Sequence, residues 1–326
     1  MKTVLLSAPY MLPVVDRFRP VFENYSLELL VAEVEERLSE EQLIGYAGRF
    51  DGAICGDDRF TEAALKACVP RLKVISKWGT GIDSINSQAA KKLGIQVRNT
   101  PNAFTLPVAD TVLGYILAFA RRQPWMDREM KAGDWKKLMG RSLSECTLGV
   151  IGVGNIGKAV LRRARAFGMR LLGNDIISIA PDFILENGVQ MTSLRELLSE
   201  ADYVSLNCDL NPTSMHIINA ETLSWMKPSA VLINTARGPV VDEAALITAL
   251  QDGWISGAAL DVFETEPLPA VSPLLKMDCV MLAPHNSNSS PAAWERVHWS
   301  TIRNLLNGLE IPADDLDQFI PPKATL

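Results

Sequence analysis

The apolar residues of this chain occur in short runs, separated by stretches with helical spacing. Up to about residue 100, runs rich in leucine and β-branched residues alternate with amphipathic segments, which predicts parallel strands joined by helices. The predicted strands cover residues 4–7, 27–30, 52–55, 72–76 and 95–98, and the predicted helices cover residues 41–50, 61–68 and 87–93.

The same alternation resumes near residue 147 and continues to about residue 284. Its predicted strands cover residues 148–151, 170–174, 203–207, 230–234, 257–260 and 279–282, and its predicted helices cover residues 155–167, 193–199 and 243–251. A long helical pattern over residues 106–130, interrupted only at Pro124, connects the two parts, and another covers residues 292–309. Because this last helix follows a complete second part, we expect it to pack on the first.

One apolar run leads directly into a glycine loop that is typical of dinucleotide-binding folds. Gly152, Gly154 and Gly157 form the pattern G-x-G-x-x-G between a predicted strand and a predicted helix. The next strand ends at Asp175, 18 residues beyond Gly157. The glycines allow a tight turn, close approach to a pyrophosphate and close helix–strand packing, while the acid accepts hydrogen bonds from a ribose. The pattern predicts NAD over NADP, since the carboxylate repels a 2′-phosphate.

These patterns predict an α/β chain with two Rossmann-like or flavodoxin-like domains, each built on a parallel sheet, and a cleft between them. The NAD-binding domain is expected to cover residues 102–288. The substrate-binding, catalytic domain is expected to be discontinuous, with residues 1–101 and 289–326.

Composition restricts the class of protein. A chain of 326 residues, of which 48% are hydrophobic, is long enough for two domains with separate cores. The net charge of −6 gives no electrostatic reason to expect nucleic acid or an anionic membrane as a partner. No apolar run approaches the length of a membrane span. The five scattered cysteines favour reduced thiols over a zinc site, and a cytoplasmic location.

Three histidines are candidates for proton transfer beside the cofactor. His285 directly follows the predicted strand at residues 279–282, and a polar residue at the carboxyl end of a parallel strand faces the ligand crevice. We therefore predict that His285 is the acid–base residue. His216, in an apolar stretch, and His298, in the last predicted helix, are expected to have structural or surface roles.

Two further candidates follow predicted strands in the same way. Arg237 comes just after the strand at residues 230–234, and Glu266 closes the segment after the strand at residues 257–260. A guanidinium can bind a substrate carboxylate and polarise the adjacent carbonyl. A carboxylate beside a histidine favours the imidazolium ion and fixes the ring's tautomer. Taken singly, the arginine fits a helix cap or ion pair equally well, and the glutamate fits a solvated loop.

Over nearly its whole length, the chain resembles the D-isomer-specific 2-hydroxyacid dehydrogenases. The matching motifs, in order, are G-T-G-I-D at 79–83, N-T-P at 99–101, V-A-D at 108–110, the glycine loop, N-T-A-R-G at 234–238, A-L-D-V-F at 259–263 and P-H at 284–285. The resemblance implies an NAD-dependent oxidoreductase that interconverts a small D-2-hydroxy acid and its 2-keto acid. It implies Arg237, Glu266 and His285 as the catalytic residues, and no metal.

The resemblance also implies residues that contact the cofactor and the substrate. Besides the loop glycines, the NAD site is expected to include Asn155, Ile156, Asp175, Cys208, Thr235, Ala236 and Asp261. Asn286, directly after the histidine, is expected beside the nicotinamide. The substrate, a small anion, is expected to be held by the loop Lys77, Trp78, Gly79, Thr80 and Gly81, with backbone N–H groups of the glycine-containing part on its carboxylate.

Within the family, the chain most resembles the phosphoglycerate dehydrogenases. Those enzymes have a basic residue at the position of Lys77, and basic residues follow a tryptophan as Lys136 and Lys137 follow Trp135 here. The lysines are expected either to contact a distal substrate phosphate, in the second case from a neighbouring subunit, or to be ordinary surface charges. A short form without a regulatory domain is expected.

One segment departs from the family pattern and two alternatives stay open. The family usually has a small, glycine-containing segment after its histidine, whereas residues 286–291 read N-S-N-S-S-P, which leaves the substrate open. One alternative is a reductase of hydroxypyruvate or glyoxylate. The other is an NAD(H)-sensing binding protein, since the C-terminal-binding-protein corepressors resemble the same family and retain its catalytic residues. A homodimer through the helix at residues 106–122 is expected.

Overall fold

The computed structural model describes residues 1–321 of the chain. Its strands are β1 Lys2–Leu6, β2 Leu27–Val31, β3 Gly52–Cys55, β4 Val74–Lys77, β5 Gln96–Arg98, β6 Thr147–Ile151, β7 Arg170–Asn174, β8 Val189–Met191, β9 Tyr203–Leu206, β10 Val231–Asn234, β11 Gly257–Leu260 and β12 Val280–Leu282. Its helices are α1 Arg19–Asn24, α2 Glu40–Gly45, α3 Glu62–Cys68, α4 Ser87–Lys92, α5 Thr105–Arg121, α6 Gln123–Lys131, α7 Asn155–Ala166, α8 Pro181–Asn187, α9 Leu194–Glu200, α10 Ala220–Ser224, α11 Glu243–Gln251 and α12 Pro291–Gly308.

The described residues fall into two compact units, each with its own parallel sheet. The first unit comprises Met1–Ala103 and the described part of Ser290–Leu326, and the second comprises Phe104–Ser289. The prediction of two α/β domains with parallel sheets is confirmed. Within residues 1–321, no helix has both the length and the apolar character needed to span a membrane.

The sheet of the first unit has the strand order β2-β1-β3-β4-β5, which is the flavodoxin-like order. Helix α12 packs closely on this sheet because two glycines remove side chains from the contact. A Cβ on Gly52 would lie 2.8 Å from Cδ1 of Leu305, and one on Gly308 would lie 2.2 Å from Cγ2 of Val74. The C-terminal helix is therefore part of the first unit.

The sheet of the second unit has the order β12-β11-β10-β9-β6-β7-β8. All its strands are parallel, but successive strands are added on one side of β6 up to β8 and on its other side from β9 onward, so the strand order reverses between β6 and β9. Such a reversal marks the place where an open parallel sheet binds its ligand, outside the carboxyl ends of the strands. The register aligns the ends of six strands in one row, at Asn174, Ile151, Leu206, Asn234, Leu260 and Leu282. Residues that follow these positions share one edge.

Some boundaries differ from those that the sequence pattern predicts. The connecting helix is interrupted at Arg122, whose φ of 56° is left-handed, and not at Pro124. Pro124 lies in the first turn of α6, where no backbone N–H is needed. The helix expected at residues 41–50 ends at Gly45. Four short elements, α1, α8, β8 and α10, were not predicted because each is too short for a clear period.

Candidate active site

The glycine loop at the end of β6 has two positions where no side chain fits. Gly152 has a φ of 88°, and a Cβ there would lie 2.5 Å from the backbone nitrogen of Cys208. A Cβ on Gly157 would lie 2.1 Å from the carbonyl oxygen of Gly152. Gly154 faces open space, with no atom within 4 Å of an added Cβ. The loop therefore packs tightly on its protein side and leaves room on the other side, at Gly154.

The start of α7 and the neighbouring strand ends fit a dinucleotide. Gly154 is the N-cap of α7 and supplies no side-chain cap, so the first N–H groups of the helix can meet a phosphate. The carboxylate of Asp175 accepts hydrogen bonds from the N–H of Val153, at 2.7 Å, and of Ile177, at 3.0 Å. Asp175 thus ties the end of β7 to the glycine loop.

Two buried polar atoms at the same edge lack a hydrogen-bond partner among the described residues. They are Oδ1 of Asn207, after β9, and Oγ1 of Thr235, after β10. A buried polar atom without a partner costs free energy, so these atoms fit a site where a polar ligand supplies the missing bonds. Thr235 is a predicted cofactor contact, whereas the sequence analysis did not include Asn207. Of the other predicted contacts, Asn155 is exposed, and Ile156, Cys208 and Ala236 are half-buried.

Cys208 is a thiol with no sign of activation. Burial raises its pKa to about 11, so the thiolate is scarce at neutral pH. Its position after Asn207 suits packing against a ligand and does not suit nucleophilic chemistry.

The loop that carries Arg237 is fixed by a buried amide. Asn234, the last residue of β10, is 1% exposed, and its Oδ1 accepts from the N–H of Ala236 at 3.0 Å. Its Nδ2 donates to the carbonyl oxygen of Arg237 at 2.9 Å. The half-buried Arg237 guanidinium donates in turn to the carbonyl oxygen of Ala236 at 2.8 Å. The Asn234 side chain therefore fixes this loop, although the sequence analysis did not name Asn234 as a site residue.

Asp261 supports the segment that carries His285. Its fully buried carboxylate accepts from the N–H of Asn286, at 2.8 Å, and of Ser287, at 2.9 Å. The backbone N–H of His285 also donates to the carbonyl oxygen of Asp261 at 2.8 Å. His285 has a left-handed φ of 50°. Each oxygen of the Asp261 carboxylate thus accepts from a backbone N–H of the segment that carries His285.

His285 and Glu266 form a pair. Nδ1 of His285 lies 3.1 Å from Oε2 of Glu266, and the two side chains are 21% and 19% exposed. Oε1 of Glu266 accepts from the N–H of Phe263 at 3.0 Å, which holds the carboxylate in place. Since Nδ1 faces the carboxylate, Nε2 is the ring nitrogen that can exchange a proton with a substrate.

Residues 113–287 match the family model described as D-isomer specific 2-hydroxyacid dehydrogenase, NAD binding domain. The chain belongs to this family. It is 42% identical over 267 residues to a glyoxylate reductase of Korarchaeum cryptofilum, which covers 79% of this chain and 80% of that protein. It is 43% identical over 267 residues to a D-3-phosphoglycerate dehydrogenase of Methanocaldococcus jannaschii, which covers 77% of this chain and 50% of that protein.

A solved structure of D-lactate dehydrogenase from Aquifex aeolicus, complexed with NAD and lactic acid, is similar with a TM-score of 0.83. The two chains are 30% identical, with 98% of this chain and 100% of that chain covered. These findings confirm the prediction of an NAD-dependent dehydrogenase that interconverts a 2-hydroxy acid and its 2-keto acid.

In the first unit of this dehydrogenase, the loop at Gly79 is held by the neighbouring segment. Gly79 has a φ of 120°, its carbonyl oxygen accepts from the N–H of Thr100 at 2.8 Å, and Oγ1 of Thr80 donates to the carbonyl oxygen of Thr100 at 3.0 Å. Within residues 1–321, the backbone N–H groups of Gly79, Thr80 and Gly81 donate to no acceptor. The loop is thus fixed by its carbonyl oxygens, and its donors are available.

Lys77 and Trp78 are directed into the first unit. The Lys77 side chain is 6% exposed, and its Nζ lies 3.1 Å from Oδ1 of Asp57 and 3.2 Å from the carbonyl oxygen of Trp78. Nε1 of the buried Trp78 donates to Nδ1 of His298 at 3.0 Å. Burial lowers the pKa of His298 to about 4, so the ring is a neutral acceptor at physiological pH. Lys136 and Lys137, by contrast, are exposed.

A cavity of about 540 Å³ lies at the opposite, amino-terminal edge of the second sheet. Its lining includes Trp125 on α6, together with Tyr203, Val231 and Ser256, which lie at or just before the first residues of β9, β10 and β11. It therefore has no part in the arrangement around His285.

Proposed function

We propose that this dehydrogenase reduces a small, unphosphorylated 2-keto acid such as glyoxylate with NADH. The observation that carries the proposal is the burial of Lys77. Its ammonium group forms an ion pair with Asp57 and donates to the carbonyl oxygen of Trp78. Because Asp57 already neutralises this charge, Lys77 would attract a distal substrate phosphate only weakly. The glyoxylate reductase of K. cryptofilum supports the same choice, since the similarity covers 80% of that protein.

The catalytic roles follow from the loops of the second unit. NADH, when bound, supplies the hydride. In the reduction, Nε2 of His285 donates a proton to the carbonyl oxygen, and in the oxidation it accepts the hydroxyl proton. Arg237 binds the carboxylate of the substrate, which orients the substrate, and stabilises negative charge on its C2 oxygen. Glu266 stabilises the imidazolium form of His285.

We assign the binding roles by unit. The second unit is the NAD-binding domain: Gly154, Asn155 and Ile156 bind the pyrophosphate, and Asp175 binds the adenine ribose. Asn207, Cys208, Thr235, Ala236 and Asn286 line the rest of the cofactor site, with Asp261 positioning Asn286. The first unit is the substrate-binding domain, in which the free N–H groups of Gly79, Thr80 and Gly81 bind the substrate carboxylate.

A panel of 2-keto acids tests the substrate. We expect kcat/KM for glyoxylate to exceed that for phosphohydroxypyruvate by at least about 10-fold, because a phosphate would lose hydration without gaining a free cation. Hydroxypyruvate is the matched control, since it differs from phosphohydroxypyruvate only in the phosphate. Steady-state oxidation of NADH provides the measurement. A preference for phosphohydroxypyruvate over hydroxypyruvate would contradict the proposal and assign Lys77, Lys136 or Lys137 to the phosphate.

Asp175→Asn is expected to reduce the preference for NADH over NADPH by about 10-fold, because it removes the charge that repels a 2′-phosphate. The amide oxygen can still accept from the N–H of Val153, so the glycine loop keeps its support. The KM values for the two cofactors provide the measurement. Asp182→Asn, at an exposed residue in the first turn of α8, removes the same net charge and serves as the control. Unchanged discrimination in Asp175→Asn would remove Asp175 from the ribose site.

We also propose a homodimer through α5 and a cytoplasmic location without nucleic acid or membrane partners. Leu106 on α5 is 56% exposed, and Gly114 leaves open space on the outer side of the helix. Cys55, Cys68, Cys146, Cys208 and Cys279 are all free, as expected in a reducing compartment. The net charge of −6 favours neither anionic partner. Light scattering of the purified protein measures its assembly directly.

A further inference from the structure

His216 contacts two other loops at the same edge of the second unit. It lies between β9 and α10, and its backbone N–H donates to the carbonyl oxygen of Pro239 at 2.9 Å, two residues beyond Arg237. Its ring Nε2 lies 2.7 Å from Oε1 of Glu264, two residues before Glu266. One residue thus joins the segment that carries Arg237 to the segment that carries Glu266.

The backbone of His216 is held for this contact. Its φ of 48° is in the left-handed region, which is unfavourable for a residue with a Cβ. The carbonyl oxygen of His216 accepts from Nδ2 of Asn219 at 2.9 Å, and this bond fixes the peptide on the other side. An unfavourable backbone conformation persists only where the surroundings determine it, so the fold specifies the backbone at His216, while the side chain is 44% exposed and reaches Glu264 at the surface.

Glu264 is fixed by a second contact besides His216. Its backbone N–H donates to Oε2 of Glu243 at 3.2 Å. Burial raises the pKa of Glu243, and the neighbouring Glu264 carboxylate raises it further, against the lowering effect of that backbone bond. His216 is the positively chargeable partner in this acidic cluster. Without it, Oε1 of Glu264 would lose its 2.7 Å contact and keep the longer hydrogen bond, at 3.5 Å, from the backbone N–H of Glu243.

The segment between Glu264 and Glu266 is too short to move independently at its two ends. Glu266 makes bonds to the N–H of Phe263 and to His285, and Gly238 packs directly against the backbone of Phe263. We therefore expect a displacement of Glu264 to shift the Glu266 carboxylate that faces His285. The charged groups on the packed segments are Arg237, Asp242, Glu243, Asp261, Glu264 and Glu266.

We propose that His216 is a positioning residue whose contact with Glu264 sets the distance of Glu266 from His285 and, through it, the proton affinity of His285. This inference rests on the proposed roles of Glu266 and His285. It assigns the second histidine of the unit to the reaction, although its side chain touches no reacting atom. If the contact between His216 and Glu264 is lost, we expect the proton affinity of His285 to fall.

Two amide substitutions that differ by one methylene group test the proposal. His216→Asn tolerates the left-handed backbone but is too short to reach Glu264, whereas His216→Gln retains an N–H donor near the position of Nε2. We expect His216→Asn to lower kcat for 2-keto acid reduction by roughly 10-fold and to move the alkaline limb of its pH profile about 0.5–1 unit lower. The limb moves lower because His285 must be protonated for reduction. His216→Gln is expected to remain near wild type in both.

Titration of the His285 ring by NMR gives a readout that needs no substrate. The chain has three histidines, so selective labelling resolves the ring, and the titration midpoint should fall in His216→Asn and not in His216→Gln. Glu264→Leu should lower the titration midpoint of His285 by the same amount. The double variant with His216→Asn should show the same midpoint as either single variant. Glu62→Leu removes an exposed carboxylate that pairs with Lys66 in the first unit, and it should change neither readout.

Two outcomes would overturn the inference: a midpoint that stays constant while His216→Asn loses rate or melting temperature, or a His216→Gln variant as impaired as His216→Asn. Either outcome would mean that the His216 ring contributes to packing and does not position Glu266. Failure of the proposed function is separate, because it would appear as a wild-type protein that reduces none of the 2-keto acids. The NMR comparison still decides the positioning role in that case.

Discussion

Replacing His285 by alanine is expected to lower the turnover of a 2-keto acid by roughly 10²–10⁴-fold, the usual loss when a general acid–base residue is removed. The expectation follows from the pair at 3.1 Å between Nδ1 of His285 and Oε2 of Glu266, which orients the ring so that Nε2 is the nitrogen proposed to exchange the proton. Binding of NADH should persist, because the carboxylate of Asp175 is held by the backbone N–H groups of Val153 and Ile177. Steady-state rates and fluorescence titration with NADH measure the two effects separately.

The pH dependence provides the control for this variant. With His285 in the proposed acid–base role, we expect reduction to need the protonated ring and to slow as the pH rises, and oxidation to need the neutral ring and to slow as the pH falls. Both limbs should disappear in His285→Ala, leaving a low and flat profile. A folded His285→Ala protein that binds NADH and turns over at nearly the wild-type rate would remove His285 from the mechanism.

The strand-end residues could be predicted because they depend on local patterns and one topological rule. Each of Arg237, Glu266 and His285 follows an apolar run, and parallel strands bring their carboxyl ends to one edge. The register then aligns Asn234, Leu260 and Leu282 in one row. The short runs together with this rule are enough to predict that the three residues lie at the same edge of the sheet.

The environment of Lys77 could not be predicted in the same way. A lysine at the end of a strand is typical of an exposed, ligand-facing charge, and its partner Asp57 lies 20 residues earlier in the chain. The pair forms because β3 and β4 are neighbours in register, with Cys55 opposite Lys77. Strand order and register are tertiary properties, so a sequence motif around Lys77 does not show that the Asp57 carboxylate will neutralise it.

Backbone conformation and buried support were also missed. The apolar sequence around His216 predicts a structural role, and no sequence pattern indicates its left-handed φ or its contact with Glu264. Asn234 and Asp261 belong to recognisable motifs, yet a motif does not tell whether a side chain faces a ligand or the backbone beside it. In the structure, Asn234 faces backbone groups of the loop that carries Arg237, and Asp261 faces those of the segment that carries His285.

The close contact between those loops yields the second large effect, at Gly238. A Cβ at this position would lie 1.9 Å from the carbonyl carbon and oxygen of Phe263 and 2.4 Å from the nitrogen of Glu264. All three are backbone atoms, so no rotamer change can relieve the overlap, and the segments that carry Arg237 and Glu266 must move apart. We expect Gly238→Ala to lose about 1–3 kcal/mol of stability from overpacking.

A displacement of about 1 Å at catalytic groups can cost roughly 10²-fold in rate, and we expect a loss of that size in kcat/KM for Gly238→Ala. Thermal unfolding and 2-keto acid kinetics measure the two effects. Gly45→Ala is the matched control, because an added Cβ at the end of α2 meets no atom within 4 Å. If Gly238→Ala retained wild-type kcat/KM, the contact between the two loops would not determine the geometry of the catalytic residues, and the positioning role of His216 would lose its structural basis.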